Sequence, residues 1–157
     1  MPESLRTRAM RHAFNLWPCY RGTGARVRYI AGDWREVRVE VPLGLRTRNY
    51  VGTIFGGSLY GAVDPFYMIM LMENLGRGYV VWDKAATIRF RRPGRSTLSA
   101  TMRIDAAEVA AVREAAERER SVDRRYEVDL LDGAGEACAR VEKVVHVRRR
   151  RPEDGPG

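Results

Sequence analysis

Residues 57–74 read Gly-Ser-Leu-Tyr-Gly-Ala-Val-Asp-Pro-Phe-Tyr-Met-Ile-Met-Leu-Met-Glu-Asn. Leu59, Tyr60, Ala62, Val63, Phe66, Tyr67 and the run Met68 to Met72 leave almost no polar face. A helix that is apolar nearly all round must be buried on most sides. Gly76 and Gly78 supply its stop. Such a helix needs a cover, and the flanking sequence offers one in long alternating segments.

Upstream, Val37, Val39 and Val41 alternate with Glu36, Arg38 and Glu40, the signature of a half-buried strand. A shorter strand before it carries Val27 and Tyr29 on one face, and Gly32-Asp33 between the two predicts a hairpin. Downstream, Val80, Trp82, Ala86, Ile88 and Phe90 are expected to share a face, with Pro93-Gly94 as the turn. Leu98, Ala100, Met102 and Ile104 alternate next. Residues 107–119 predict a helix buried through Val109, Val112 and Ala116. A strand with Tyr126, Val128 and Leu130 follows, then the turn 132–135, then a last strand with Ala137, Ala139, Val141, Val145 and Val147. Residues 3–16 predict an amphipathic helix whose Leu5, Ala9, His12 or Ala13 and Leu16 lie at helical spacing. The order of elements excludes a parallel doubly wound fold and predicts an α+β domain, with an antiparallel sheet wrapped around the long central helix.

The 157 residues suit one domain, 45% apolar and 31% charged. We divide it into an N-terminal helix and connector (1–24), the main domain (25–148) and a basic flexible tail (149–157). No run is apolar enough to span a bilayer. Residues 1–16 mix Glu3 with Arg6, Arg8 and Arg11, unlike a secretory leader. Cys19 and Cys138 make no disulfide framework, which favours a reducing compartment, so a cytoplasmic location is expected. The net charge is +8, and every basic residue but Lys84 and Lys143 is arginine. No base-reading or stacking motif accompanies that charge. Nucleic-acid binding through the tail is therefore the weakest reading, and neither nucleic acid nor membrane is expected as a partner. His12 and His146 lack ligand spacing, so no metal site is expected.

Two features carry chemistry. Gly56-Gly57 opens the apolar helix, and without side chains there a ligand can approach backbone N–H groups at a positive helix end. The local alternative is a tight loop-to-helix entry with Ser58 as its cap. Asp64 is the single acid between Asn49 and Met72. A buried carboxylate must be paired, protonated or functional. The local alternative is that Asp64 caps a helix starting at Pro65; Pro65 can also sit inside a kinked helix, since Gly61 stands four residues back.

Asn49, Gly52, Gly56-Gly57 and Asp64 together resemble the motif of the hot-dog thioesterases related to the phenylacetyl-CoA thioesterase. Trp82-Asp83-Lys84 to Phe90, with Arg92-Pro93-Gly94, is similar to that family's next strand. The likeness spans about residues 25–148 and is nearest to a poorly characterised branch with Asp-Pro and Trp-Asp-Lys. The resemblance implies a hot-dog fold and an acyl-thioester hydrolase, acting on acyl-CoA. Coenzyme A is then part of the substrate, and no cofactor is required. It implies that the Gly57 amide, with Gly56, binds the thioester carbonyl, and that Asp64 is general base or nucleophile. Asn49 would orient water or substrate. Sites in that family lie between subunits, which implies a homodimer or a dimer of dimers. Phe55 replaces a common His, and Asp83 stands where Ser or Thr is usual, so Phe55, Asp83 and Lys84 are expected near the substrate. Lys84 could neutralise the Asp64–Asp83 pair, but strict alternation sends Asp83 and Lys84 to opposite faces, which a bulge or a buried interface ion pair would reconcile; the local alternative is a structural Asp–Lys pair at a dimer seam. Arg91, Arg92 and Arg95 flank the turn, where they either meet coenzyme A phosphates or are solvated turn charges. The departures also motivate a second reading, a non-catalytic acyl-thioester or lipid binder on the same scaffold.

Overall fold

The computed structural model describes residues 1–154. Two N-terminal helices, α1 (Leu5–Leu16) and α2 (Pro18–Gly22), precede the hairpin β1 (Arg26–Ile30) and β2 (Glu36–Val41). The central helix follows in two pieces, α3 (Gly56–Val63) and α4 (Phe66–Leu75). Then come β3 (Tyr79–Phe90), β4 (Leu98–Arg103), α5 (Ala106–Arg118), β5 (Val122–Leu131) and β6 (Ala137–Arg149). All strand pairs are antiparallel, in the order β1-β2-β4-β5-β6-β3. The expected α+β hot-dog architecture is present: one curved sheet closes around α3–α4.

The core forms where the period-2 faces of the strands meet that helix. Val37, Val39 and Val41 of β2, Leu98, Ala100 and Met102 of β4, and Val141, Val145 and Val147 of β6 are buried against Leu59, Ala62, Val63, Phe66, Met70 and Leu71. Gly76 ends α4 at φ 84°, a left-handed conformation that a side chain would strain. Val112 and Ala116 bury the inner side of α5, whose first turn is capped by Asp105 accepting from the Glu108 amide.

Three expectations change. In β1 a register shift between Val27 and Tyr29 turns Ile30, not Tyr29, into the core. In α1 the packed face is Thr7, Met10 and Phe14, while Leu5 and Leu16 are solvent-exposed. The aromatic cluster Phe14, Tyr20 and Phe66, with ring centroids 5.5–6.1 Å apart, fixes the N-terminal helices on the back of α4 and overrides the leucine spacing. At the other end β6 continues to Arg149, and the Arg148 guanidinium donates to both oxygens of Asp154 at 2.6 Å. The tail assigned to 149–157 is thus folded back as far as Asp154, and 155–157 lie outside the described residues. No helix among the described residues is long and apolar enough to cross a membrane.

Candidate functional site

Asp64 sits where the central helix breaks. Asp64 and Pro65 both keep right-handed helical angles, and the Asp64 amide still donates to the Tyr60 carbonyl at 3.0 Å. Pro65 has no N–H to offer the carbonyl of Gly61, so the helix kinks there rather than stopping. Pro65 itself occupies the cap position of α4, which has no side-chain cap. The Asp64 side chain is committed elsewhere. Its Oδ1 accepts the Tyr60 hydroxyl at 2.5 Å and the Lys143 ammonium at 2.8 Å. Among the described residues nothing bonds Oδ2, and the side chain is 41% exposed.

Lys143 is the residue that sequence reasoning missed. Its side chain is fully buried, and its Nζ also lies 2.9 Å from Asp83 Oδ2. The signal was present in β6: Ala139, Val141, Val145 and Val147 point into the core, and position 143 continues that alternation with a lysine. A buried ammonium is tolerated only with anionic partners, and here two carboxylates supply them.

A bulge places Asp83. Asp83 pairs with Val145 and Ala85 with Val144, so Lys84 is the extra residue. Val81 and Asp83 therefore share the inner face with Ala86, Ile88 and Phe90. Val80 and Trp82, expected on that face, lie on the other one. Lys84 leaves the site: its Nζ pairs with Asp123 at 2.6 Å on the outer surface, beside His146, which bonds the same aspartate and packs against Trp82. The lysine that answers Asp83 comes from β6, not from the neighbouring position.

Burial pushes the Asp83 carboxyl above its ordinary range, the Asp64 charge adds to the rise, and Lys143 offsets part of it. Among the described residues Oδ1 of Asp83 is buried without a hydrogen-bond partner, as suits a carboxyl that retains a proton more readily than usual. Burial acts on Lys143 in the opposite sense, but its bonds to Asp64 and Asp83 outweigh it and hold the ammonium above the usual lysine value. Burial and then the Asp64 carboxylate raise the Tyr60 hydroxyl, so it remains a donor.

The helix start lies on a different cleft. Gly56, Asn49, Thr53, Leu59, Phe90, Arg91 and Arg92 line a cavity of about 380 Å³. The amides of Gly56 and Gly57 have no described partner, as expected in a first helical turn. Their missing side chains have a packing reason as well. A Cβ on Gly56 would lie 2.7 Å from the Phe90 ring, and one on Gly57 would lie 2.3 Å from the Phe55 ring. Phe55 thus lies over Gly57 and stays more than half exposed. Asn49 builds the loop: its Oδ1 accepts from the amides of Val51 and Thr53, and its Nδ2 donates to Thr53 Oγ1. Ser58 caps nothing. Arg91 and Arg92 anchor through their amides to the Cys138 carbonyl and reach the cleft mouth, with Arg92 also paired to Glu136. Arg95 is exposed and does not line the cleft.

Asp64, Asp83, Lys143 and Tyr60 are thus brought together, while Gly56, Asn49, Arg91 and Arg92 gather around the other cleft and Gly57 lies beneath the Phe55 ring. Asp64 instead borders a groove of about 290 Å³ between α2 and α3, with Trp17, Tyr20 and Gly61. Six residues of helix lie between Gly57 and Asp64, and those seven steps make about 10 Å of rise. In one copy Gly56 and Asp64 line different clefts. Among the described residues no cluster of His, Cys, Asp and Glu could hold a metal ion.

Residues 6–147 match a family described as a domain of unknown function, DUF4442. No curated protein matches the chain by sequence. Among solved structures, a Pseudomonas aeruginosa protein of unknown function described as a probable thioesterase superposes with a TM-score of 0.83 at 21% identity, over 96% of this chain and 99% of that one. A thioesterase from Haemophilus influenzae superposes at 0.68 with 13% identity, over 94% and 93%. Thioesterase superfamily member 2 of Mus musculus superposes at 0.64 with 16% identity, over 91% and 98%. At these identities the likeness carries the fold.

Proposed function

The chain belongs to the DUF4442 family, and from that premise and the geometry above we propose that it is an acyl-thioester hydrolase, acting on acyl-CoA as a symmetric dimer. The observation that carries the reading is Asp64: a carboxylate at a break in the central helix that caps nothing and keeps one oxygen open.

In this reading Oδ2 of Asp64 removes a proton from water as its oxygen adds to the thioester carbonyl. The resulting oxyanion lies on backbone N–H groups at the start of α3, a preorganised donor pair at a positive helix end. The C–S bond then breaks, and the proton held by Asp64 passes to the departing thiolate. Acid and thiol are the products.

The separation of the two clefts makes a second copy part of the proposal. Asp64 of one copy must face Gly56-Gly57 of the other. β3 is the long edge strand of the sheet, and among the described residues no further strand pairs with its outer edge. Phe90 at its end and Phe55 are exposed apolar groups suited to a contact. Arg91 and Arg92 line the Gly56 cleft, and in this reading they take the phosphates of coenzyme A.

A thiol-release screen of the whole chain across short, long and aromatic acyl-CoA thioesters tests the reading. Turnover of one class, lost in Asp64→Asn without loss of fold, is expected. Full activity in Asp64→Asn would remove Asp64 from the chemistry. The Phe55 ring over Gly57 favours a second reading, a non-catalytic binder of acyl thioesters. Tight binding without thiol release would select it.

A further inference from the structure

Asp64 is held asymmetrically. Tyr60 and Lys143 both donate to Oδ1, and no described group reaches Oδ2. A carboxylate with both donors on one oxygen has a fixed rotamer and a single oxygen left to accept a proton. Lys143 in turn cannot wander. Its side chain is fully buried, and its Nζ is bound by Asp83 as well. The two anchors come from rigid elements: Lys143 from the middle of β6 and Asp83 from the bulge of β3. The bulge is what turns Asp83 inward, so an irregularity in the edge strand serves the same purpose as the lysine.

Resting on the hydrolase reading above, we propose that Lys143 is a positioning residue for Asp64: tethered to Asp83 and helped by Tyr60, it pins Oδ1 and leaves Oδ2 as the oxygen that takes the proton of the attacking water. Lys143 touches no reacting atom. It acts by keeping the base oriented, and misplacement of a reacting group by about 1 Å is enough to slow a reaction on the order of 100-fold.

The test is steady-state hydrolysis of the acyl-CoA found in the screen by the full-length chain and by Lys143→Met, Tyr60→Phe and Asp83→Asn. For Lys143→Met we expect kcat to fall on the order of 100-fold with KM nearly unchanged. Tyr60→Phe removes one of the two donors without exposing a charge, and a smaller fall in kcat is expected. In an Asp64→Asn background, Lys143→Met should reduce the residual rate no further, because there is no base left to orient. A purely structural lysine predicts the opposite, an equal loss in both backgrounds. Wild-type kcat in Lys143→Met, or that equal loss, overturns the proposal. If Lys143→Met does not fold, Tyr60→Phe decides: unchanged kcat there overturns it. A wild-type chain that releases no thiol takes the hydrolase reading down with this one, whereas an active chain indifferent to Lys143 and Tyr60 removes this proposal alone.

Discussion

Asp83 stands opposite Val145 in the β3–β6 ladder and reaches diagonally to Lys143, Oδ2 to Nζ 2.9 Å, across the inner face of the sheet. With Asp64 on the same ammonium, two carboxylates share one fully buried cation. Taking the cation away leaves two acids facing each other, which is more destabilising than the pair is stabilising. Lys143→Met is expected to lower the unfolding free energy by about 3 kcal/mol, the low end for breaking a buried pair because Asp64 is partly solvated. In an Asp83→Asn background the same substitution should cost clearly less, since only one acid is orphaned. Denaturant unfolding of the wild type, the two single variants and the double variant measures the difference; additive losses would mean that Asp83 and Lys143 do not interact.

The raised Asp83 carboxyl gives the fold a pH dependence with a definite sign. Below the ordinary aspartate value of 3.8 both folded and unfolded chains hold the proton. As pH rises past it, the unfolded chain releases the proton first, and stability falls until the folded chain has released it too. Asp83→Asn lacks this slope. The stability of the wild type relative to Asp83→Asn should therefore decline across that acidic window and then level off. For Lys143, also raised, the contribution is present below the ordinary lysine value and lost as pH climbs through the folded one. Thermal melts of wild type and Asp83→Asn over the acidic range test the first sign; a difference that grows with pH would contradict it.

Much of this fold was legible because most of its strands obey a strict period of two. Val37, Val39, Val41, Leu98, Ala100 and Met102 went where alternation sends them. Alternation failed where the backbone breaks its own period, at the bulges of β1 and β3, because one extra residue reverses every later side chain. That is why Val80 and Trp82 were assigned to the wrong face and Lys84 was placed near a site it does not enter. The acid on the central helix was legible as an anomaly, but its partner Lys143 lies 79 residues away. Proximity at that separation follows from sheet order, which local patterns do not encode. Leu5 and Leu16 misled for a further reason: helical spacing identifies a stripe, and the Phe14–Tyr20–Phe66 packing decides which stripe turns inward.

The outward position of Lys84 has its own consequence. Its pair with Asp123 is exposed, and exposed pairs contribute little, with a median of about 0–1 kcal/mol. Lys84→Ala should leave stability within about 0.5 kcal/mol and leave thioester turnover untouched. Loss of turnover in Lys84→Ala at unchanged stability would return this residue to the site.

Pro65 holds Asp64 at the kink by withholding an N–H from Gly61. Pro65→Ala restores that donor and a strong helix former, so the central helix should straighten and the protein should gain on the order of 1 kcal/mol. Straightening moves Asp64 relative to Lys143 on β6, so turnover should fall while stability rises. Paired melts and kinetics of Pro65→Ala check both directions, and a variant that is both less stable and fully active would show that the kink is not what sets the carboxylate.

Whether two copies share a site can be read from inactive chains. If Asp64 of one copy works with the Gly57 amide of the other, Asp64→Asn disables a site through one chain and Gly57→Val through its partner, where the added side chain meets the Phe55 ring and fills the approach to the amide. Each variant alone should be inactive. In a twofold dimer formed from both, the two defects fall into the same site and the second site is intact. Random mixing makes half of the dimers mixed, so about one quarter of all sites should recover. If a single copy supplied both groups, every site in the mixture would carry one defect. Co-refolding equal amounts of the two variants and measuring thiol release separates these cases: recovery near one quarter of wild-type activity supports the shared site, and none refutes it.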